Sequence, residues 1–463
     1  MKAIFILSDS FRQDHLGFYG NPRIHTPNLD RLAAGANVFE QMYAGSFPTG
    51  PNRRDILLSK GHAPGHAFNP WINIREDETP LPRLLSDGGV HTMMITDVAN
   101  GVVRGRNMFA GFNAYRVNRG QEGDAYWSDA SVPEELPVPP ELIRYRPAHY
   151  QQVRVNRAHR RHEDDYFAPG TFRMACEWLE RNWKRDRFFL WVETFDPHEP
   201  WDPPEWYVHR YDPGYRGRVI ECPPYGFYRK LGITRREVRH LQARYCGECT
   251  MVDTAVGRLL ATLEKLDLLE EVAICFTSDH GIYAGYAGDA GCVGKPWVVN
   301  DNRGFLIAGD GRLTSPTWLP LRTGTMRIPL VIKLPGQRRP RRIQRIAQPW
   351  DLAPTILRLF GLKPPSDYQG RSLLPALGRR RLPPRLHAFN GCLHRQTQLR
   401  QVMTRRWIYS FWPSGQARPF LIDLKNDPTQ TKNVAASHPD LCRRLHAALA
   451  RWDPGGMEGS DNP

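Results

Sequence analysis

Four apolar runs of strand length end in an acidic residue, and this pattern restricts the folds open to the chain. The runs are AIFILSD, GVHTMMITD, RFFLWVETFDPH and VAICFTSDHG, and they end near Asp9, Asp97, Asp196 and Asp279. Continuous apolar runs are typical of parallel strands that are buried on both faces. Helical patterns alternate with them, for example in TPNLDRLAAGANVF and DLAPTILRLFGL. The sequence therefore predicts an α/β fold with a doubly wound, mixed but largely parallel sheet between helices.

The pattern changes toward the carboxyl terminus. Two short strand-like pieces, QVMTRRWIYSFW and PFLIDL, precede a closing helical segment, HPDLCRRLHAALARW. We predict a main catalytic domain over residues 1–382. Residues 383–463 are predicted to form a small α+β subdomain of short antiparallel strands and a closing helix.

Charge and cysteine content limit the partners and the compartment. The 463 residues carry a formal charge of +15, which favours an anionic substrate or partner. The basic residues are dispersed and no nucleic-acid recognition motif is present, so we expect no specific nucleic-acid partner. Eight cysteines without framework spacing indicate reduced thiols. No run has the length of a membrane span, and the apolar N-terminal run is too short for a signal sequence. We expect a cytoplasmic protein without a membrane partner, and a homo-oligomer is compatible with the sequence.

Polar residues at the strand ends could meet in one site. Ligands of open α/β sheets bind outside the carboxyl ends of the strands. Asp9, Asp279 and His280 follow two of these strands and could hold one divalent metal ion. Two carboxylates and one imidazole suit Mn²⁺, Ca²⁺ or Zn²⁺, and the ligand set alone does not choose among them.

The stretch AGSFPTGPNRRD, residues 44–55, contains a lone hydroxyl in front of a constrained turn. One interpretation is that Thr49 caps the helix that follows. The other is that Thr49 is a nucleophile whose pKa is lowered by a metal ion that it also binds. Arg53 lies one helical turn further on, where it could stabilise the threonine oxygen or an anionic transition state.

Several motifs resemble the sulfatase family of the alkaline phosphatase superfamily, in the order in which that family has them. They are IFILSDSFRQDHLGFYGNPRIHTPNLDRLAAGANVFEQMYAGS, ETFDPHEPWDPP, CFTSDHG, RIPLVIKLPG, DLAPTILRLFGL with QGRSLLPAL, and FLIDLKNDPTQTKNVA. The resemblance covers nearly the whole chain. It implies an alkaline phosphatase-like α/β/α fold with a small C-terminal subdomain. It also implies a metal-dependent hydrolase of small anionic sulfate or phosphate esters.

The resemblance assigns roles to individual residues. Asp9 and Asp279 match metal ligands of the family. His280 stands where many sulfatases have asparagine and where the phosphodiesterases and phosphonate monoester hydrolases of the superfamily have histidine. His198 matches a histidine that contacts the substrate or protonates the leaving group. Lys295 matches a lysine that binds the transferred group.

The chain departs from the family pattern at two places. The family segment Cys-x-Pro-Ser-Arg, whose cysteine becomes formylglycine, is here Thr-Gly-Pro-Asn-Arg at residues 49–53. The β-carbon of threonine carries a methyl group and cannot give that aldehyde, so we expect no formylglycine. The family segment Gly-Lys-x-His is replaced by ITDVANG, residues 95–101. We assign Asp97 and Asn100 of this segment, with Lys295, as substrate contacts.

Together these features predict hydrolysis of a phosphodiester or a phosphonate monoester. Thr49 is the predicted nucleophile, assisted by Arg53 and His198, with one divalent ion on Asp9, Thr49, Asp279 and His280. One alternative is a sulfuric ester hydrolase that works without formylglycine. Another is a binding protein that has kept the sulfatase fold and lost its activity.

Overall fold

The computed structural model describes residues 1–61, 73–102, 106–296, 298–300, 316–378, 383–394, 397–413, 415 and 417–453. Within these ranges the chain forms eighteen strands and twelve α-helices. The strands are β1 (Lys2–Ser8), β2 (Asn37–Met42), β3 (Ser46–Phe47), β4 (His91–Thr96), β5 (Ala114–Val117), β6 (Phe188–Thr194), β7 (Gly226–Phe227), β8 (Val272–Thr277), β9 (Tyr283–Ala284), β10 (Cys292–Gly294), β11 (Val298–Asn300), β12 (Pro316–Trp318), β13 (Leu330–Lys333), β14 (Arg341–Ala347), β15 (Ala388–His394), β16 (Thr397–Met403), β17 (Trp407–Phe411) and β18 (Phe420–Asp423). The helices are α1 (Pro27–Ala34), α2 (Thr49–Leu58), α3 (Leu81–Asp87), α4 (Ala99–Val102), α5 (Pro147–Arg157), α6 (Phe167–Asn182), α7 (Glu205–His209), α8 (Arg235–Lys265), α9 (Thr323–Met326), α10 (Leu352–Leu359), α11 (Leu374–Leu377) and α12 (Pro439–Trp452).

The main sheet has eight strands in the order β14-β2-β13-β8-β1-β6-β4-β5. All neighbouring pairs are parallel except the two that β13 makes with β2 and β8. The sheet is therefore mixed and largely parallel, which confirms the predicted fold class.

Side chains on the two faces of β1 enter two different cores. Phe5 and Leu7 contribute to a core that also contains residues of α2, α3 and α10. Ile4 and Ile6 lie in a second core with residues of α1, α6 and α8. The strand is apolar throughout because both faces are covered by helices. The doubly wound arrangement that the sequence predicts is thus the observed one.

A second sheet of five strands has the order β18-β17-β16-β15-β3. Four of its strands come from the C-terminal segment, and α12 packs on them through Leu445 and Leu449. The fifth strand, β3, belongs to the N-terminal part of the chain and pairs in parallel with β15. The domain boundary at residue 382 stays a prediction, and the second sheet is not built from the C-terminal segment alone.

Four adjacent strands of the main sheet, β4, β6, β1 and β8, end at the same edge. Asp97, Asp196, Asp9 and Asp279 follow these strands in that order. The predicted site residues therefore gather at one edge of the sheet. None of the helices in the described residues is long and apolar enough to cross a membrane.

Candidate active site

Asp9, Asp279 and His280 form a buried cluster at the carboxyl ends of β1 and β8. One ligand atom from each lies within 4.8 Å of the others, and all three side chains are fully buried. Nε2 of His280 lies 3.3 Å from a carboxylate oxygen of Asp279. The three residues that the sequence predicts as metal ligands are thus brought together.

Ser10 orients both carboxylates of this cluster. Its hydroxyl donates to Asp9 Oδ1 at 2.7 Å, and its backbone N–H donates to Asp279 Oδ1 at 3.1 Å. The φ angle of Ser10 is 61°, in the left-handed region that side chains other than glycine adopt at an energetic cost. This backbone conformation aims the amide at Asp279. Ser10 therefore supports both predicted carboxylate ligands.

Thr49 is the first residue of α2, and its side chain does not cap that helix. The N-cap position is Pro48, without a side-chain capping bond, and the Thr49 hydroxyl lies 3.2 Å from His280 Nε2. Asp55 on the same helix accepts bonds from the backbone N–H and the hydroxyl of Ser46, which fixes the preceding segment. The turn therefore presents the Thr49 hydroxyl to the carboxylate–imidazole cluster.

The protonation state of His280 follows from its two nitrogen contacts. Nδ1 lies 3.1 Å from the Gly281 carbonyl oxygen and must donate to it. Burial, with the charges of Lys295 and Arg53, lowers the pKa of His280 to about 3 against the opposing effect of Asp279. The neutral ring therefore carries its proton on Nδ1, and Nε2 accepts from the Thr49 hydroxyl. Nε2 is also the atom that a metal ion would take.

Arg53 is surrounded by three carboxylates. Its Nε donates to Glu193 at 2.5 Å, its Nη1 to Asp279 at 2.7 Å and its Nη2 to Asp9 at 3.1 Å. Nη1 also donates to the backbone oxygen of Thr49 at 3.1 Å. The guanidinium is only 2% exposed. Arg53 thus holds the cluster together and ties it to the first turn of α2, and the predicted direct contact with a transition state stays a prediction.

Glu193 is a site residue that the sequence analysis missed. It lies in β6, is 2% exposed and also accepts from the Trp191 indole at 3.3 Å. The available signal was an acid inside the otherwise apolar run FFLWVET. Acids are seldom fully buried in strands unless they are paired, so this residue indicated a buried cation nearby.

The chemistry of the cluster fits a divalent cation. Burial and the neighbouring Asp279 raise the pKa of Asp9 well above its ordinary value. Burial opposes the ionised form of Asp279, whereas the positive charges of Arg53 and Lys295 lower its pKa. The unprotonated nitrogen of His280 and the oxygens of Asp9 and Asp279 are all hydrogen-bond acceptors, and they face one another. A bound cation would remove the repulsion between them. Asp9, Asp279 and His280 would hold the ion, with the Thr49 hydroxyl beside it.

Lys295 and His198 are buried close to this cluster. The ammonium of Lys295 is among the charges that act on Asp9, Asp279, His280 and His198. Nδ1 of His198 donates to the Glu199 carbonyl at 2.5 Å. Burial, with Lys295 and Arg144, lowers the pKa of His198 well below its ordinary value. Its Nε2 therefore offers an acceptor in the resting state, and the role of leaving-group acid stays a prediction.

Asp97 and Asn100 make different contacts from the predicted ones. The carboxylate of Asp97 accepts from Phe195 N–H at 2.6 Å and from the Thr171 hydroxyl at 2.9 Å. The Phe195 ring stacks on His198, with centroids 3.9 Å apart. Asp97 therefore positions the loop that carries His198 and is not among the cluster ligands. Asn100 donates to Glu122 at 2.9 Å. Both side chains are occupied by these bonds to protein groups, which does not favour substrate contact. Substrate contact by Asp97 or Asn100 therefore stays a prediction.

Comparison with known proteins identifies the family. The family model described as Sulfatase matches residues 2–362, and that for the C-terminal region of N-sulphoglucosamine sulphohydrolase matches residues 321–453. Arylsulfatase K of Gallus gallus is 28% identical over 229 residues, which are 47% of this chain and 38% of that protein. The chain thus spans well under half the length of this relative. An arylsulfatase of Clostridium perfringens is 23% identical over 94% of this chain and 90% of its own.

Among solved structures, the phosphonate monoester hydrolase of Agrobacterium radiobacter has the same fold. The two superimpose with a TM-score of 0.73 over 98% of this chain and 96% of the other, at 19% sequence identity. Because one family model covers well over half of the sequence, the chain belongs to the sulfatase family.

Proposed function

We propose that this protein hydrolyses a phosphodiester or a phosphonate monoester, with Thr49 as the nucleophile and one divalent metal ion. The observation that carries this proposal is the hydrogen bond of 3.2 Å between the Thr49 hydroxyl and His280 Nε2, beside two buried carboxylates. The hydroxyl contacts one of the three predicted protein ligands directly, and it makes no helix-capping bond that would otherwise explain its position.

The reaction has two steps. Thr49 Oγ bonds to phosphorus while its hydroxyl proton passes to solvent, and the bond between phosphorus and the leaving alkoxide or phenolate breaks. A water molecule then attacks phosphorus, the bond between phosphorus and Thr49 Oγ breaks, and a proton from the water restores the hydroxyl. A bound divalent ion would lower the pKa of the nucleophile and attract the anionic ester. Lys295 supplies a further positive charge close to the site.

The contacts of Arg53 support a bracing role in this reaction. By bonding both predicted metal carboxylates and the Thr49 backbone, Arg53 fixes the distance between nucleophile and ligands. Positioning of this kind can supply a large part of a rate enhancement, because reacting groups are already oriented.

A sulfuric ester hydrolase is the second candidate, favoured by the family match and by the arylsulfatase relatives. Threonine cannot form the aldehyde on which the usual family mechanism depends, so this activity would need Thr49 to attack sulfur directly. An inactive binding protein is the third. The connected buried set of Asp9, Arg53, Glu193 and Asp279 argues against it, since burying charged groups is costly unless they serve each other or a ligand. A cytoplasmic location remains a proposal.

The test compares four p-nitrophenyl esters: a phosphate monoester, a phosphate diester, a phosphonate monoester and a sulfate. Wild type, Thr49→Ala and Thr49→Ser are assayed with Mn²⁺, Ca²⁺ or Zn²⁺. We expect diester or phosphonate turnover in wild type, partial turnover in Thr49→Ser and none in Thr49→Ala. Preferred sulfate turnover would support the second candidate. No turnover of any ester with any of the three ions would contradict hydrolysis of these ester classes.

A further inference from the structure

The charges around Arg53 do not balance. Three carboxylates, those of Asp9, Glu193 and Asp279, surround this one guanidinium. The ammonium of Lys295 is the other cation of the cluster. His280 is neutral whenever it binds a metal ion, since only an unprotonated ring nitrogen can do so. Asp9 and Asp279 are ionised when they act as metal ligands, so among the described residues the protein groups of the metal-bound cluster carry one excess negative charge. A divalent ion changes that excess to one positive charge.

The excess negative charge comes from Glu193. Asp9 and Asp279 are needed as ligands, whereas Glu193 reaches the cluster only through Arg53 Nε. Its other oxygen accepts from Trp191 Nε1 at 3.3 Å and from the Thr96 hydroxyl at 3.4 Å. Both donors are neutral, so Arg53 is the cation that Glu193 pairs with among the described residues. The nearby end of β4 supplies a further acid, Asp97.

We propose that Glu193 selects singly charged esters by cancelling the positive charge of Arg53. A monoanionic ester then neutralises the metal-loaded site, whereas a dianionic phosphate monoester leaves a net negative charge in a buried, low-dielectric environment. Like charges repel strongly there, because water does not screen them. Glu193 is thus a specificity-determining residue that acts through Arg53. This inference rests on the proposed function for the identity of the substrate.

The test measures ligand binding without turnover, in a Thr49→Ala background saturated with Mn²⁺. Calorimetry gives dissociation constants for dimethyl phosphate, which carries one charge, and for methyl phosphate, which carries two above a second pKa of about 6. The variant is Glu193→Gln, which keeps an acceptor for Arg53 Nε. The matched control is Glu221→Gln, a carboxylate paired with Arg157 that makes no contact with Asp9, Asp279 or His280 in the described ranges.

We expect Glu193→Gln to improve binding of methyl phosphate relative to dimethyl phosphate by about tenfold, and Glu221→Gln to leave the ratio unchanged. An equal loss for both ligands would reduce Glu193 to a structural support and overturn the proposal. A second measurement does not depend on the folding of Glu193→Gln. The ratio of the two dissociation constants is measured for Thr49→Ala alone from pH 5 to pH 8, a range that extends about one unit below and two units above the second pKa of methyl phosphate. Affinity for methyl phosphate should fall relative to dimethyl phosphate as the second charge forms, and a constant ratio would contradict the proposal.

These measurements separate the two proposals. Binding in the Thr49→Ala background does not depend on turnover, so charge selection can be found in a protein that hydrolyses none of the four test esters. Conversely, turnover that requires Thr49, with a binding ratio that Glu193→Gln leaves unchanged, would retain the proposed function and remove the role of Glu193.

Discussion

The hydroxyl of Thr49 lies 3.2 Å from Nε2 of His280, although 231 positions separate the two residues in the chain. The contact brings the first turn of α2 against the end of β8. Arg53 closes the same arrangement from the other side by bonding Asp9, Asp279 and the Thr49 backbone oxygen. A hydroxyl, an unprotonated imidazole nitrogen and two carboxylates thus face one point.

Thr49 should matter for chemistry and little for folding. Its side chain does not cap α2, so we expect Thr49→Ala to remove turnover while changing the free energy of unfolding by less than about 0.5 kcal/mol. The matched control is Thr234→Ala. The Thr234 hydroxyl accepts from Glu237 N–H in the capping box of α8, so its loss should cost about 1 kcal/mol and leave turnover unchanged. Urea unfolding and steady-state rates measure both. Equal destabilisation by the two variants would restore the capping interpretation of Thr49.

Removing Arg53 should destabilise the metal-free protein strongly. Arg53→Ala leaves three buried carboxylates without their guanidinium. Because breaking a buried ion pair typically costs about 3–5 kcal/mol, we expect the free energy of unfolding to fall by about that amount. Arg31→Ala breaks an exposed pair with Glu264 and should cost less than about 1 kcal/mol. Urea unfolding in the presence of a chelator gives both values. A cost for Arg53→Ala no larger than that for Arg31→Ala would refute the bracing role.

Ser10 should tune metal affinity without being a ligand. Its hydroxyl and amide hold Asp9 and Asp279, and the loss of such a supporting bond typically costs about 10–100-fold in affinity. We therefore expect Ser10→Ala to weaken Mn²⁺ binding within that range in calorimetric titrations. Ser131→Ala, which removes an exposed hydroxyl bonded to Asp129, is the control and should bind as wild type does. Unchanged Mn²⁺ affinity in Ser10→Ala would show that the hydrogen bond from the Ser10 hydroxyl to Asp9 does not contribute to metal binding.

His15 should make stability depend on pH. Burial lowers its pKa, but Asp14 and Cys246 outweigh that effect and raise the pKa to about 9. Tyr286 and Tyr245 also contact the ring. A folded-state pKa above the unfolded value of about 6.5 means that the protonated form stabilises the fold. This contribution is complete below pH 6.5 and disappears as the pH rises through 9.

The difference in melting temperature between wild type and His15→Gln measures this contribution. The difference should be largest near pH 6 and should shrink toward pH 9.5, which lie about half a unit outside the two pKa values. His209→Gln, at an exposed histidine, is the control and should show no such trend. A difference that stays constant with pH would contradict the assignment.

Much of the site was predictable because parallel strands end at one edge. That rule places Asp9, Asp279 and His280 together, and helical periodicity places Arg53 one turn from Thr49. It does not specify where a side chain turns after its strand ends. Asp97 ends a strand as Asp9 does, yet it bonds the backbone of the loop that holds His198. The backbone N–H groups of that loop need acceptors, and no sequence pattern reveals which residue supplies them.

Other features depend on contacts between distant segments. The antiparallel direction of β13 and the addition of β3 to the second sheet are set by chain connections and not by composition. Glu193 lies within a strand, and its pairing with Arg53 joins residues 140 positions apart. Its presence in an apolar run indicated a buried partner, but the identity of that partner required the fold.

The most direct test of the account is to trap the modified enzyme during turnover of a p-nitrophenyl phosphonate or diester. The reaction is quenched in acid after a few milliseconds, and the peptide that contains Thr49 is examined by mass spectrometry. The account predicts a phosphoryl or phosphonyl group on Thr49 that disappears when substrate is exhausted. Steady turnover with Thr49 unmodified at all times, or turnover that continues in Thr49→Ala, would contradict the role of this hydroxyl as the nucleophile.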